Sequence, residues 1–258
     1  MKKLHIGLLS AMPEEVGKTL HHLKNVISIS YGDLVIHKGE WILEKSTNAK
    51  IFISLAWSGW GKVSASRAVT RLLNTADNNK NLDLILFTGV AGSGKAELNQ
   101  WDIVIANEVI QHDMDARPLF EKYNIPALGI AKIKSPQNLT NWIFNVLKNS
   151  KKKGHLSKFG FIKKGLIASG DKFISDKNSL KKLCIDIPDL DAVEMEGGAI
   201  AQIATQEKIP WAIVRVISDS ADEEASEDFS TFIKKYENHS WEIINCLLTK
   251  IYENETLL

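Results

Sequence analysis

Leu84-Ile85-Leu86-Phe87-Thr88-Gly89-Val90-Ala91-Gly92-Ser93-Gly94-Lys95-Ala96 is an apolar run that opens into glycines. Leu84–Phe87 has the unbroken hydrophobicity of a strand buried on both faces, and Ile103–Ile105 supplies a second β-like run just beyond it. The glycines between them are expected to form a loop. From Gly89 to Ala96 the chain comes within one residue of the phosphate-binding pattern Gly-x-x-x-x-Gly-Lys-Ser/Thr. Ala96, however, has no hydroxyl for magnesium, and the span from Ala96 to Trp101 is too short for a helix that would aim its N-terminus at phosphate. A nucleotide-binding P-loop is therefore rejected. What remains is a tight strand-to-strand connection or, the preferred reading, a backbone that comes close to a ligand.

Working outward, Leu4–Leu9 reads as a buried strand, and Pro13-Glu14-Glu15 as the first turn of a helix, where proline loses no hydrogen bond and carboxylates face the positive end of the dipole. Leu34–Ile36, Trp41–Leu43 and Ile51–Trp57 are expected strands, followed by a helix from Lys62 to Leu73 buried through Val63, Ala68, Val69, Leu72 and Leu73. Residues 113–135 lack a period and contain Pro118 and Pro126. Leu139, Trp142, Ile143, Val146 and Leu147 recur at helical spacing, with Lys151–Lys153 as a solvated helix end. Phe159–Ser169, Leu190–Val193 and Trp211–Ile217 are further strands, a helix runs from Gly197 to about Glu207, and one long amphipathic helix is expected from Phe229 toward Ile251. Strands alternating with helices, with no linker and no repeat, predict a single α/β domain over residues 1–258, with a central mixed, twisted sheet flanked by helices on both faces.

Composition restricts function. The 258 residues carry 32 Lys+Arg against 31 Asp+Glu, a net charge of +1, which removes the main argument for a nucleic-acid or anionic-membrane partner. Cys184 and Cys246 stand far apart without metal-type neighbours, so neither a disulfide framework nor a zinc site is expected. With no uncharged apolar run of spanning length and no convincing leader, the chain reads as cytoplasmic.

Ligands of such sheets sit beyond the carboxyl ends of the strands. There the sequence places Glu14-Glu15, Gly89–Gly94, Glu194-Met195-Glu196 and Ser218-Asp219. Carboxylates at 194 and 196 would share one face of extended chain and could accept the hydroxyls of a vicinal diol, or could simply compensate the dipole of the following helix. Arg215, inside an apolar strand, requires a partner, and Glu194 and Glu196 are the natural ones. The acids Asp222-Glu223-Glu224 read as a solvated loop, and His112-Asp113-x-Asp115 has no second histidine at ligand spacing, which favours a structural or interface role. Trp57 and Trp60 are expected to pack in the core or at its rim, and His21-His22 to lie on a solvated helix face.

Set in order, six segments resemble the methylthioadenosine/S-adenosylhomocysteine nucleosidases of the nucleoside phosphorylase superfamily. They are Ala11-Met12-Pro13-Glu14-Glu15, Ser58-Gly59-Trp60-Gly61-Lys62-Val63, Thr88-Gly89-Val90-Ala91-Gly92, Ser169-Gly170-Asp171-Lys172-Phe173-Ile174, Val193-Glu194-Met195-Glu196 and the run from Val214 to Asp222. The resemblance implies that Glu15 activates water and that Asp219, next to Ser218 in the site, protonates purine N7. It further implies that Glu196 holds the ribose hydroxyls, that Phe173 stacks on the base while the Ile174 backbone reads its edge, that Met195 and Phe229 line the ribose and 5′-thio side, and that Gly92 touches the ligand through its backbone. It implies no metal or cofactor, a small nucleoside as substrate, and a homodimer in which the neighbouring subunit completes the 5′ pocket. Segment 113–134 departs from better-known relatives, and its Leu119, Phe120 and Ile125 suit burial between subunits.

The competing activities are phosphorolysis by a purine or other nucleoside phosphorylase, hydrolysis of futalosine, and nucleoside binding without catalysis. Only Arg67, Arg71, Arg117 and Arg215 are present, so the amino-terminal phosphate-binding arginine of the phosphorylases is missing. Glu15 argues for an enzyme over a binder.

Overall fold

The computed structural model describes residues 2–42, 49–76, 81–222 and 224–251. Numbered in chain order, its strands are β1 (Lys2–Ser10), β2 (Leu23–Tyr31), β3 (Leu34–Trp41), β4 (Ala49–Trp57), β5 (Leu84–Ser93), β6 (Ile103–Gln111), β7 (Lys132–Lys134), β8 (Ile162–Ser169), β9 (Leu190–Glu194) and β10 (Trp211–Asp219). The helices are α1 (Lys62–Leu73), α2 (Gln137–Lys152), α3 (Lys177–Asp186), α4 (Gly197–Gln206), α5 (Ala225–Tyr236) and α6 (Ser240–Lys250). All strands join one mixed sheet. β5 lies at its centre, parallel to β1 on one side and to β10 on the other, and every one of its residues is buried. From β10 the order passes antiparallel to β6, parallel through β8 to β9, and back antiparallel to β5 at Gly92 and Ser93. Those five strands therefore close a ring, while β1, β4, β3 and β2 extend from β5 as an open wing.

Helices cover both faces. Ala65, Ala68, Val69 and Leu72 of α1 and Ala199–Ala201 of α4 pack with Leu9, Ile85, Phe87 and Ile213 on one side. Leu139, Ile143 and Leu147 of α2 pack with Phe232, Tyr236, Ile243 and Ile244 of α5 and α6 on the other.

Several sequence expectations are corrected. The glycine run is not a loop: β5 continues through it to Ser93, because Gly89 and Gly92 let the strand pass beneath packed side chains where a Cβ would collide. Val63 is 81% exposed and Ala65 takes its place in the core. Pro13–Glu15 is an isolated 3-10 turn, followed by a second at Gly17–His22, rather than the start of an α-helix. Leu34–Ile36 and Trp41 belong to one strand, and Leu43 lies outside the described residues. β2 is a strand beyond those expected: it forms the outer edge of the wing, where only its Leu23 is buried, so no buried apolar run marks it. The expected helix from Phe229 to Ile251 is two helices, broken where the backbone of Gly17, at φ +48°, presses on Glu237 and where Ser240 Oγ donates to Glu14 O at 3.0 Å. Lys151 is not simply solvated: its ammonium donates to the carbonyls of Phe159 and Gly160.

Candidate active site

The carboxyl ends of β1, β5, β8, β9 and β10 meet around a cleft of about 550 Å³. Every site residue expected from the sequence lines it: Glu15, Gly92, Phe173, Ile174, Met195, Glu196, Ser218, Asp219 and Phe229. Of the acid pair after β1, only Glu15 lies among the lining residues.

Glu15 is placed by its short turn. Its carboxylate folds back so that Oε2 accepts the N–H groups of Ala11 at 2.7 Å and Met12 at 3.0 Å, while Oε1 accepts Val90 N–H from β5 at 2.9 Å. Burial pushes its pKa above the ordinary carboxylate value, against the pull of Arg215 and these three donors. Gly89 makes the approach possible, since a Cβ there would overlap both Glu15 Oε1 and Arg215 Nη1. The preferred reading of the glycines is thus divided: Gly92 borders the cleft, whereas Gly89 admits two protein side chains.

Arg215 lies fully buried on β10, with its guanidinium 3.7 Å from the centre of the Phe87 ring. Its Nη2 donates to Glu194 and stands 3.6 Å from Glu196 Oε2, and its Nη1 is 3.9 Å from Glu15 Oε1. The expected pairing with 194 and 196 is present, and Glu15 joins it. The two glutamates separate in role. Glu194 is saturated by Arg215, Ser169 Oγ and the N–H groups of Glu196 and Gly197, so it both compensates the arginine and caps α4. Glu196 accepts the N–H of Gly61 at 2.7 Å, and burial together with the nearby Glu194 charge raises its pKa to about 8. One guanidinium cannot neutralise three carboxylates, so the cluster favours keeping a proton or binding a positive charge.

Asp219 ends β10 at a register shift after Ile217, an irregularity that turns the carboxyl into the cleft. Its Oδ2 accepts Ser218 Oγ at 2.6 Å and its Oδ1 accepts Ala221 N–H at 2.9 Å. Burial raises its pKa, in the sense required of a carboxylic acid that donates a proton near neutrality.

The opposite wall is aromatic. Phe229 stands edge-on to Phe173, with centroids 5.9 Å apart, and to Trp60 at 5.8 Å. Trp60 is expected from the sequence to pack in the core or at its rim. It is half exposed, lines the cleft and sits between Gly59 (φ +80°) and Gly61 (φ +91°), a glycine-tryptophan-glycine signal that could have marked a presented ring. Asp113 and Asp115 are engaged by Lys62 and Arg117, which agrees with a structural role for that motif.

The model of the phosphorylase superfamily matches residues 5–249. A relative from Staphylococcus carnosus (strain TM300), named 5′-methylthioadenosine/S-adenosylhomocysteine nucleosidase, is 34% identical over 240 residues, covering 93% of this chain and 96% of its own. The crystal structure of the 5′-methylthioadenosine/S-adenosylhomocysteine nucleosidase from Neisseria meningitidis, in complex with methylthio-immucillin-A, superposes with a TM-score of 0.83 at 27% identity, covering 95% of this chain and 99% of that one. The futalosine hydrolase of Helicobacter pylori strain 26695 gives 0.80 at 28% identity, covering 96% and 98%.

Proposed function

Because the chain belongs to the phosphorylase superfamily and, within it, to the 5′-methylthioadenosine/S-adenosylhomocysteine nucleosidases, we propose that it hydrolyses the N-glycosidic bond of 5′-thio-substituted adenosines, releasing adenine and the thioribose. The observation that carries this reading is the convergence on one cleft of two buried acids with raised pKa, Glu15 and Asp219, and of a third, Glu196, held by a backbone N–H.

Breaking the bond develops positive charge on the sugar and negative charge on the base. Asp219, whose protonated form burial favours, gives its proton to N7, so that adenine leaves neutral. Glu15, whose pKa burial raises above that of a solvated carboxylate, takes a proton from the attacking water. Glu196 accepts from the ribose hydroxyls, and the excess of carboxylate over guanidinium faces the cationic sugar and stabilises it. Phe173 stacks on the base, the Ile174 backbone reads its edge, Gly92 contacts it, and Met195, Phe229 and Trp60 enclose the sugar and its thio substituent. Ser218 orients Asp219 through its hydroxyl.

The same cluster disfavours phosphorolysis. Its one arginine is already engaged by Glu194 and flanked by Glu15 and Glu196, so it is not available to pair with phosphate. Incubation with 5′-methylthioadenosine in phosphate-free buffer should release adenine and the free sugar. Release only with phosphate, giving the sugar 1-phosphate, would make it a phosphorylase, and no release a binder.

The active form is proposed to be a homodimer. Leu119 (84% exposed) and Phe120 (42%) project from segment 113–135, a surface suited to burial against a second copy, whereas Ile125, expected there with them, is buried in the chain's own core. No helix among the described residues is long and apolar enough to cross a membrane. Cys184 and Cys246 are free thiols, and the cytoplasm is the compartment that suits them and the soluble substrate.

A further inference from the structure

Asp113 and Asp171 lie outside the reacting groups and meet at the N-terminus of α1. Asp171 Oδ1 accepts Lys62 N–H at 2.7 Å. Asp113 joins both ends of that contact, its Oδ1 accepting Lys62 Nζ at 2.5 Å and its Oδ2 accepting Asp171 N–H at 2.9 Å. One residue before Lys62, Gly61 N–H donates to Glu196 Oε1 at 2.7 Å, the one backbone hydrogen bond to that carboxylate among the described residues. Asp171 is therefore a single peptide unit away from the group that holds Glu196. That peptide needs holding: it follows Gly59, half-exposed Trp60 and Gly61, and both glycines have positive φ, so the segment is short of side-chain anchors of its own. Loop 170–174 is braced in turn, because Gly170 N–H donates to Glu194 O at 3.1 Å and the His112 ring packs where a Gly170 Cβ would be.

We propose that Asp171 is a positioning residue for ribose recognition: clamped by Asp113 and Lys62, it fixes the Gly61–Lys62 peptide and, through it, the adjoining Trp60–Gly61 peptide whose N–H holds the Glu196 carboxylate. The inference rests on Glu196 as the ribose-binding group. A carboxylate displaced by about 1 Å can cost as much as 100-fold in rate, and a tether through one peptide unit acts on that scale.

The test uses the full chain and two substrates, 5′-methylthioadenosine and its 2′-deoxy analogue, comparing the ratio of their kcat/KM values. Asp171→Ala should reduce the preference for the riboside about tenfold, mainly by slowing the riboside. Asp171→Asn, which keeps an acceptor for Lys62 N–H, should restore most of it. In a Glu196→Gln background, Asp171→Ala should leave the ratio where Glu196→Gln alone puts it, since both act through one contact. Equal slowing of both substrates, or a further fall in the ratio in the double variant, would overturn the proposal. Should Asp171→Ala fail to fold, Asp113→Asn breaks the Lys62 ion pair and is measured in the same way. A smaller fall in the ratio supports the brace, and an unchanged ratio refutes it. Wild-type protein inert on both substrates would instead refute the nucleosidase reading, and this inference with it.

Discussion

Arg215 Nη1 lies 3.9 Å from Glu15 Oε1, within coulombic reach but beyond a hydrogen bond. Glu15 is thus held near a cation without spending a lone pair on it. Had the two been hydrogen-bonded, the carboxylate would be a weaker base. Glu194 makes this spacing possible by taking the arginine's other nitrogen.

Glu15→Gln should therefore bind a substrate analogue with little change while turnover falls about 10²–10⁴-fold, the usual contribution of a general base. Adenine release measured beside calorimetric binding separates the two effects. In the wild type, the raised pKa of Glu15 places the acid limb of the rate profile above the ordinary carboxylate range, with activity falling as pH drops through it.

Asp219→Asn should lose a similar 10²–10⁴-fold on 5′-methylthioadenosine but far less on a nitrophenyl riboside, whose leaving group needs no proton. Asparagine keeps its Oδ1 as acceptor for Ala221 N–H, while its Nδ2 donates to Ser218 Oγ and that hydroxyl turns to Ala91 O, so the fold persists. Equal losses on both substrates would move the acid elsewhere.

Glu196→Gln should change the pH dependence of stability. The group's pKa is about 8 in the fold against 4.5 ordinarily, so the wild type loses stability as pH rises from about 4.5 through 8, where the fold must give up a bound proton. The glutamine variant escapes that loss. Its melting temperature at pH 9 should exceed that of the wild type by several degrees, with the gap closing toward pH 5.

Gly89→Ala should abolish activity although it adds one methyl. The new Cβ would overlap Arg215 Nη1 and Glu15 Oε1 in a buried strand, so a charged group must shift. Thermal denaturation would show a loss of about 1–3 kcal/mol, the usual cost of overpacking. Wild-type activity in this variant would contradict the packing described.

Light scattering should give twice the 28.8 kDa chain mass. Phe120→Asp should shift the protein toward monomer and raise KM for the thio-nucleoside more than it lowers kcat, because a neighbouring subunit is proposed to complete the 5′ pocket rather than to touch the reacting bond. A fully active monomer would sink the dimer.

What the sequence settled by itself was whatever depends on local pattern. Leu84–Phe87 of β5 and Trp211–Val214 of β10 are continuous apolar runs because strands buried on both faces need no polar side. Eight of the nine residues expected at the site stand in the six ordered motifs, and all nine, Phe229 included, line the cleft. Tertiary structure decided what depends on neighbours distant in the chain. No spacing rule distinguishes Glu194 from Glu196. Their roles diverge because Arg215, 21 residues beyond Glu194, reaches one closely, while Gly61, 135 residues before Glu196, holds the other. Likewise, Gly89–Gly92 carries the local signature of a loop, yet it forms strand because β10 and β9 supply its hydrogen bonds and Glu15, Arg215 and Asp219 fill the space where side chains would stand. Hydrophobic periodicity records which residues avoid water, a property each residue carries. Which acid is paired, which is left to meet a ligand and which glycine must stay bare are properties of pairs, and only the folded chain brings those pairs together.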